Sequence, residues 1–248
     1  MRRLIHYGIS MAIIPIYGTQ VCPFVEEQSL FWVVIPIMTV YALQYLIGIP
    51  LWKRVVAERA LEKQVQSALI LEMVLFITAG VVLTIVNMVA FGFPIESGLK
   101  LIVGILGLGF FAAVDLALEA ERHVAEKISH SDSEIDPEQN YFPLTAKMTL
   151  FASVILCVVV GVFLLLVVKD LDWLVSVGDS ITLAEGRTSI LKEFLFTLAV
   201  ILPLTLNIIF SFSQNIRKYF DAQNSLLAQT IRGDYLGSVP VCSGLFSR

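Results

Sequence analysis

The chain has 248 residues, of which 57% are hydrophobic and only 15% charged, with a net charge of −4. A mean hydropathy of +0.81 excludes an ordinary water-soluble core, and the acidic balance excludes a general nucleic-acid surface. Three cysteines, Cys22, Cys157 and Cys242, stand far apart with no CxxC pair, so neither a disulfide framework nor a zinc site is expected.

Six apolar stretches follow in chain order, at about 4–24, 29–52, 68–92, 98–119, 148–168 and 192–213. Each approaches the roughly 20 residues that a helix needs to cross about 30 Å of hydrocarbon. Lipid offers the backbone no hydrogen bonds, so runs this long and uniform are helices. The first opens Met-Arg-Arg and looks like a secretory signal. No small-residue cleavage site follows, and Pro15 and Tyr17 stand where one belongs, so it reads as an uncleaved span. The expected fold is all-α: a polytopic membrane protein with six transmembrane helices.

With a cytoplasmic N-terminus, only Lys100, Lys169, Arg187 and Lys192 fall outside, and the other 13 of the 17 basic residues fall inside. Positive loops stay cytoplasmic, which favours six spans with both termini inside. The expected domains are a four-helix membrane module at 1–125, an acidic cytoplasmic linker at 126–147, a two-helix module at 148–213 and a cytoplasmic segment at 214–248. The outer loop at about 169–191 is too short for a domain of its own. It carries Asp170, Asp172, Trp173, Asp179, Glu185 and Arg187 and is expected to be solvated.

Glu72 lies in the third span, and Asp115 and Glu119 lie in the fourth, sharing a helical face with Arg122 beyond them. Intramembrane acids often mark ion paths. All three sit toward the cytoplasmic end, where they are expected to reach the interface or to pair with Arg59 and Lys63. Gln44, Asn87 and Asn207 are expected to hydrogen-bond between helices. Gly109, Ala113 and Ala117 recur every four positions, a close-packing face that could also serve a dimer. His6, His123 and His130 are dispersed. No catalytic, metal or cofactor-binding constellation is legible, so the chain itself is not expected to be an enzyme.

After the sixth span the pattern becomes polar, with apolar positions Ile216, Tyr219, Phe220, Leu226, Leu227 and Ile231 at spacings suited to a helical bundle. Gly233 and Asp234 suit a helix stop, and Val239-Pro240-Val241 an extended connector. This helix, turn and connector resemble the first half of a HAMP domain, which joins a membrane helix to an output through a parallel dimeric four-helix bundle. On that resemblance Ile216, Phe220 and Leu227 are packing positions, Gly233 and Asp234 the turn, and Val239, Pro240 and Val241 the connector. The family's early proline is absent (Arg217 and Lys218 stand there), and so is the Asp-Glu-x-Gly that opens its second helix. The stretch Asn224-Ser-Leu-Leu and the lead-in Pro143-Leu-Thr-Ala-Lys look most like bacterial membrane-anchored class III adenylate and guanylate cyclases. Histidine kinases and chemotaxis receptors share the plan.

The resemblance implies the membrane input and dimerising region of a signal transducer in a bacterial inner membrane, with lipid and a second copy as partners and an output domain past residue 248. A rival reading is a small transporter or channel using Glu72, Asp115 and Glu119. A scaffold, or a tail lying on the membrane, is the bland alternative. The topology is checked by cysteine labelling: a cysteine at Ser180 reacts from outside intact cells, and one at Ser131 is shielded. Labelling of 131 from outside contradicts the arrangement.

Overall fold

The computed structural model describes residues 1–21, 30–92, 95–129, 144–177 and 182–232. They form helices α1 (Arg2–Val21), α2 (Leu30–Trp52), α3 (Leu61–Phe91), α4 (Ile95–Ser129), α5 (Leu144–Val177) and α6 (Leu183–Ile231). A π-helical turn, Lys53–Ala57, extends α2. No strand occurs among the described residues.

Helices α2 to α6 are each long and apolar enough to cross a membrane. The first is not among these five; Arg2, Arg3 and His6 in its opening turns shorten its apolar run. Two expected boundaries also move. The stretch expected as a loop at about 169–191 is helical at both ends, because α5 continues to Val177 and α6 already begins at Leu183. The linker expected from 126 begins as helix, since α4 runs to Ser129. In both places backbone hydrogen bonding carries the helix past the point where apolar composition stops. The remainder of the linker, 130–143, lies outside the described residues.

The turn after α3 is set by Gly92, whose φ of 68° is left-handed and whose N–H reaches the carbonyls of Asn87 and Met88. A residue with a Cβ is strained in that conformation. Between α2 and α3, the Gln64 side chain donates to the carbonyls of Ala57 (3.3 Å) and Arg59 (2.9 Å), closing the turn.

At the centre lies α4, packed along α3 and touching α1, α5 and α6 as well. Its small residues explain why. A Cβ on Gly109 would stand 2.5 Å from Cβ of Phe76, and one on Gly104 only 2.1 Å from the Tyr17 ring. Ala113 and Ala117 are fully buried. The small-residue face at 109, 113 and 117 is therefore filled within the chain and is not a dimer contact. One apolar core joins α1 to α4 through Tyr7, Ile37, Tyr41, Phe76 and Ile105. A second joins α3, α4, α5 and α6 through Val65, Phe111, Leu118, Phe151, Ile201 and Leu204. By contrast α5 and α6 leave most of their apolar surface open.

Packing this close has a measurable consequence. Gly109→Ala forces overpacking against Phe76 and is expected to destabilise by about 1–3 kcal/mol. Gly107→Ala meets nothing within 4 Å and gains helix propensity, so it is expected to stabilise slightly. Thermal unfolding in detergent checks the order; the reverse order contradicts the packing.

Candidate functional site: a buried charge clamp at one end of the bundle

The first turns of α1, the N-terminal half of α3 and the C-terminal parts of α4 and α6 meet at one end of the bundle, where Glu72, Asp115, Glu121 and Arg122 are all buried. Glu72 of α3 has no exposed surface. Its carboxylate lies 2.8 Å from Nε of Arg3 and accepts a hydrogen bond from the Tyr7 hydroxyl at 3.1 Å. The Arg3 guanidinium sits 5.4 Å from the Tyr7 ring, 5.8 Å from Trp52 and 5.9 Å from Tyr45. Aromatic faces at such distances attract a cation. Gly48 makes the room: a Cβ there would stand 1.8 Å from Nη2 of Arg3.

A second group forms around Asp115 of α4, which is 2% exposed. Arg2 donates to it at 3.1 Å, and Nε2 of His6 lies 2.9 Å from its other oxygen. Arg2 also reaches the Ser211 hydroxyl of α6 at 3.3 Å and stands 3.8 Å from the half-buried Glu119. One arginine thus touches both α4 and α6.

From this point a polar ladder ties α4 to α6. Arg122 donates to the carbonyl and hydroxyl oxygens of Ser211, both at 3.0 Å, and to the Asn215 carbonyl at 2.8 Å. The Asn215 amide donates to the Leu118 backbone carbonyl (3.2 Å) and to Glu121 (2.9 Å), and Tyr219 donates to Glu121 at 3.0 Å. Lys218 and Glu126 pair farther along. Each rung joins residues more than 80 positions apart in the chain, so the ladder is tertiary structure.

Two expectations change. The carboxylates do not pair with Arg59 and Lys63, which are exposed and take no part in either group; the cations come from α1, whose N-terminus lies nearer in space. His6 is not dispersed but belongs to the Asp115 group. Glu72 and Asp115 do not converge on one another, since each is held by a different arginine. Ser211, Asn215 and Glu121 were missed, although Ser211, Asn215 and Lys218 mark a polar face at helical spacing; Arg122 was placed beside the acids but given no partner on α6, and Tyr219 was counted as an apolar bundle position. Ile216, Phe220 and Leu227 lie on α6; Gly233, Asp234, Val239, Pro240 and Val241 fall outside the described residues. No cluster that could hold a metal occurs among the described residues. The arrangement has no reacting centre. It fixes the position of one helix end against another.

Residues 6–196 match the MASE10 profile. This chain belongs to the MASE10 family. MASE10 is a membrane-associated sensory domain, so the chain is a membrane input region of a signalling receptor. A curated relative, the cyclic di-GMP phosphodiesterase of Vibrio cholerae serotype O1, is 21% identical over 237 residues, covering 96% of this chain and 47% of the relative. The chain therefore spans about half the relative's length. No solved structure matches it. The MASE10 match takes in Glu72, Asp115 and Arg122 but stops before the α6 side of the ladder.

The clamp makes a direct prediction. Arg3→Ala leaves Glu72 as an unpaired buried carboxylate, and breaking a buried pair from one side costs about 3–5 kcal/mol. Replacing both partners, as Arg3→Met with Glu72→Met, removes the stranded charge and is expected to recover most of that loss. Unfolding of the wild-type chain and both variants in detergent checks this. A double variant no more stable than Arg3→Ala contradicts a buried ion pair.

Proposed function

We propose that this chain is the input and dimerising region of a homodimeric bacterial signal transducer, with six spans and both termini in the cytoplasm. The 13-to-4 distribution of basic residues supports the topology. It also counts α1 as a span, entered from the end where Arg2 and Arg3 are clamped. The stimulus acts on the helices in the bilayer, because the loops between them are short.

The observation that carries the reading is that α6 has two opposite faces. At 3.6 residues per turn, Ser211, Asn215 and Lys218 fall on one side, and all three are bonded to α4 or α1. Ile216, Phe220, Leu227 and Ile231 fall on the other. Phe220 is 55% exposed and Leu227 60% exposed, an apolar stripe left open by the described residues. A second copy covering the stripe leaves the ladder in place. Because α6 runs as unbroken helix without a proline from Leu204 through the ladder to Ile231, a shift of α4 carries along that part as a displacement of a rigid rod.

Beyond α6, the Gly233-Asp234 turn and the Val239-Pro240-Val241 connector are the HAMP-like continuation of this rod toward an output domain. The output of this receptor is cyclic di-GMP turnover: the relative that aligns along nearly the whole chain is a cyclic di-GMP phosphodiesterase. That likeness favours it over the class III cyclase suggested by the short sequence resemblance.

Single cysteines test the dimer. At Phe220 and Leu227 they are expected to crosslink between subunits far more readily than at Lys218 or Tyr219, which face α4, with Ile216 intermediate because it is half-buried. A profile without three-to-four periodicity contradicts a dimer through this face.

A further inference from the structure

A cleft of about 50 Å³ separates the two membrane modules. Tyr17 of α1, Gly107 and Phe111 of α4, Val162 of α5 and Thr197 and Val200 of α6 are among its walls, and the surface they turn to it is apolar, the Thr197 and Tyr17 hydroxyls included among the groups turned away. It lies within the apolar spans of α4, α5 and α6. Gly107 forms its floor: a Cβ there would have no neighbour within 4 Å. In a helix whose other glycines at 104 and 109 are pressed against side chains, this one opens onto space.

The chemistry of the walls selects the occupant. Water needs two to four polar partners to enter a cavity, and these walls offer none. A carboxylate, phosphate or other headgroup would be stranded without a donor. An empty cleft leaves its lining atoms without dispersion partners on one side. At this depth the bilayer supplies hydrocarbon tails and little else.

We propose that the cleft is a binding site for the acyl tail of a bilayer lipid, seated between α4 and α6. The site reads the shape of the tail, since it holds no group that reads a headgroup. Pro203 lies three residues beyond Val200 on α6 and lacks the N–H that would bond the carbonyl four residues earlier. The helix therefore bends most easily beside the cleft, on the way to the ladder at Ser211 and Asn215. Resting on the relay reading of α6, tail occupancy is then a route by which bilayer composition enters the receptor.

The test uses the whole chain in phosphatidylcholine vesicles containing a trace of the same lipid with a diazirine near the end of one tail. After irradiation, adducts mapped by mass spectrometry are expected to be several-fold denser on 104–111 and 196–204 than on the exposed α2 positions Leu43 and Ile47. Gly107→Leu fills the floor and is expected to lower cleft labelling several-fold without changing labelling on α2. Val162→Phe fills it from the opposite wall and is expected to do the same, so the result does not hang on one variant. Cleft labelling no denser than on α2, or undiminished in both folded variants, overturns the site. None of these results depends on crosslinking at 220 and 227, so failure here leaves the relay reading standing.

Discussion

Two carboxylates removed from water govern this structure. Transferring a charge into a low-dielectric interior costs several kcal/mol even after relaxation, and only close cations and full hydrogen bonding offset that cost. Glu72 and Asp115 meet it with neighbouring arginines on one helix: Arg3 for the first and Arg2 for the second. The N-terminus of α1 is therefore fixed to α3 and α4 together. Because Arg2 also bonds Ser211, α6 is fixed by the same residue. Loss of either carboxylate's partner is felt by helices that share no sequence neighbourhood.

This arrangement depends in turn on how closely the helices approach. Gly104, Gly109 and the alanines of α4 let Tyr17 and Phe76 lie against its backbone, which brings α1 and α3 near enough for arginine side chains to span the gap. Gly48 does the same for Arg3 from α2. On its remaining side α4 meets α6 through apolar side chains as far as Ile208 and, from Ser211 onward, through polar groups. A hydrogen-bonded contact has few alternative geometries, and a small set of rungs has discrete made and broken states. That property suits a sensor, which needs two arrangements of similar energy. The packing of α5 against the rest is sparse, and the cleft beside it is lined by α1, α4, α5 and α6.

The helices were legible because apolarity is a local property of the chain. Glu72, Asp115 and Glu119 were legible as exceptions for the same reason, a charge in an apolar run. Their partners were not, since Tyr7 and Glu72 are separated by 65 residues and Arg2 and Asp115 by 113. Arg2 and Arg3 carried a second meaning that hid the first: as basic residues near a helix end they read as a topology signal. Arg122 read as one more interfacial cation, although Ser211, Asn215 and Lys218 opposite the Phe220 stripe formed a recognisable polar face. Helix ends past the apolar runs were misplaced, because backbone bonding and not composition decides where α4 and α5 stop.

The clamp is tested most directly by the distance between the C-terminal reaches of α4 and α6. Spin labels at Lys127 and Asn224, read by pulsed dipolar spectroscopy in vesicles, are expected to give one narrow distribution in the wild-type chain. Arg122→Leu removes the rungs to Ser211 and Asn215, and Arg2→Leu removes the shared cation. Each is expected to broaden the distribution and lengthen its mean while α1 to α4 remain folded. An unchanged narrow distance in both variants would mean that apolar packing alone holds α6 in place, and that the buried charges do not couple the membrane modules.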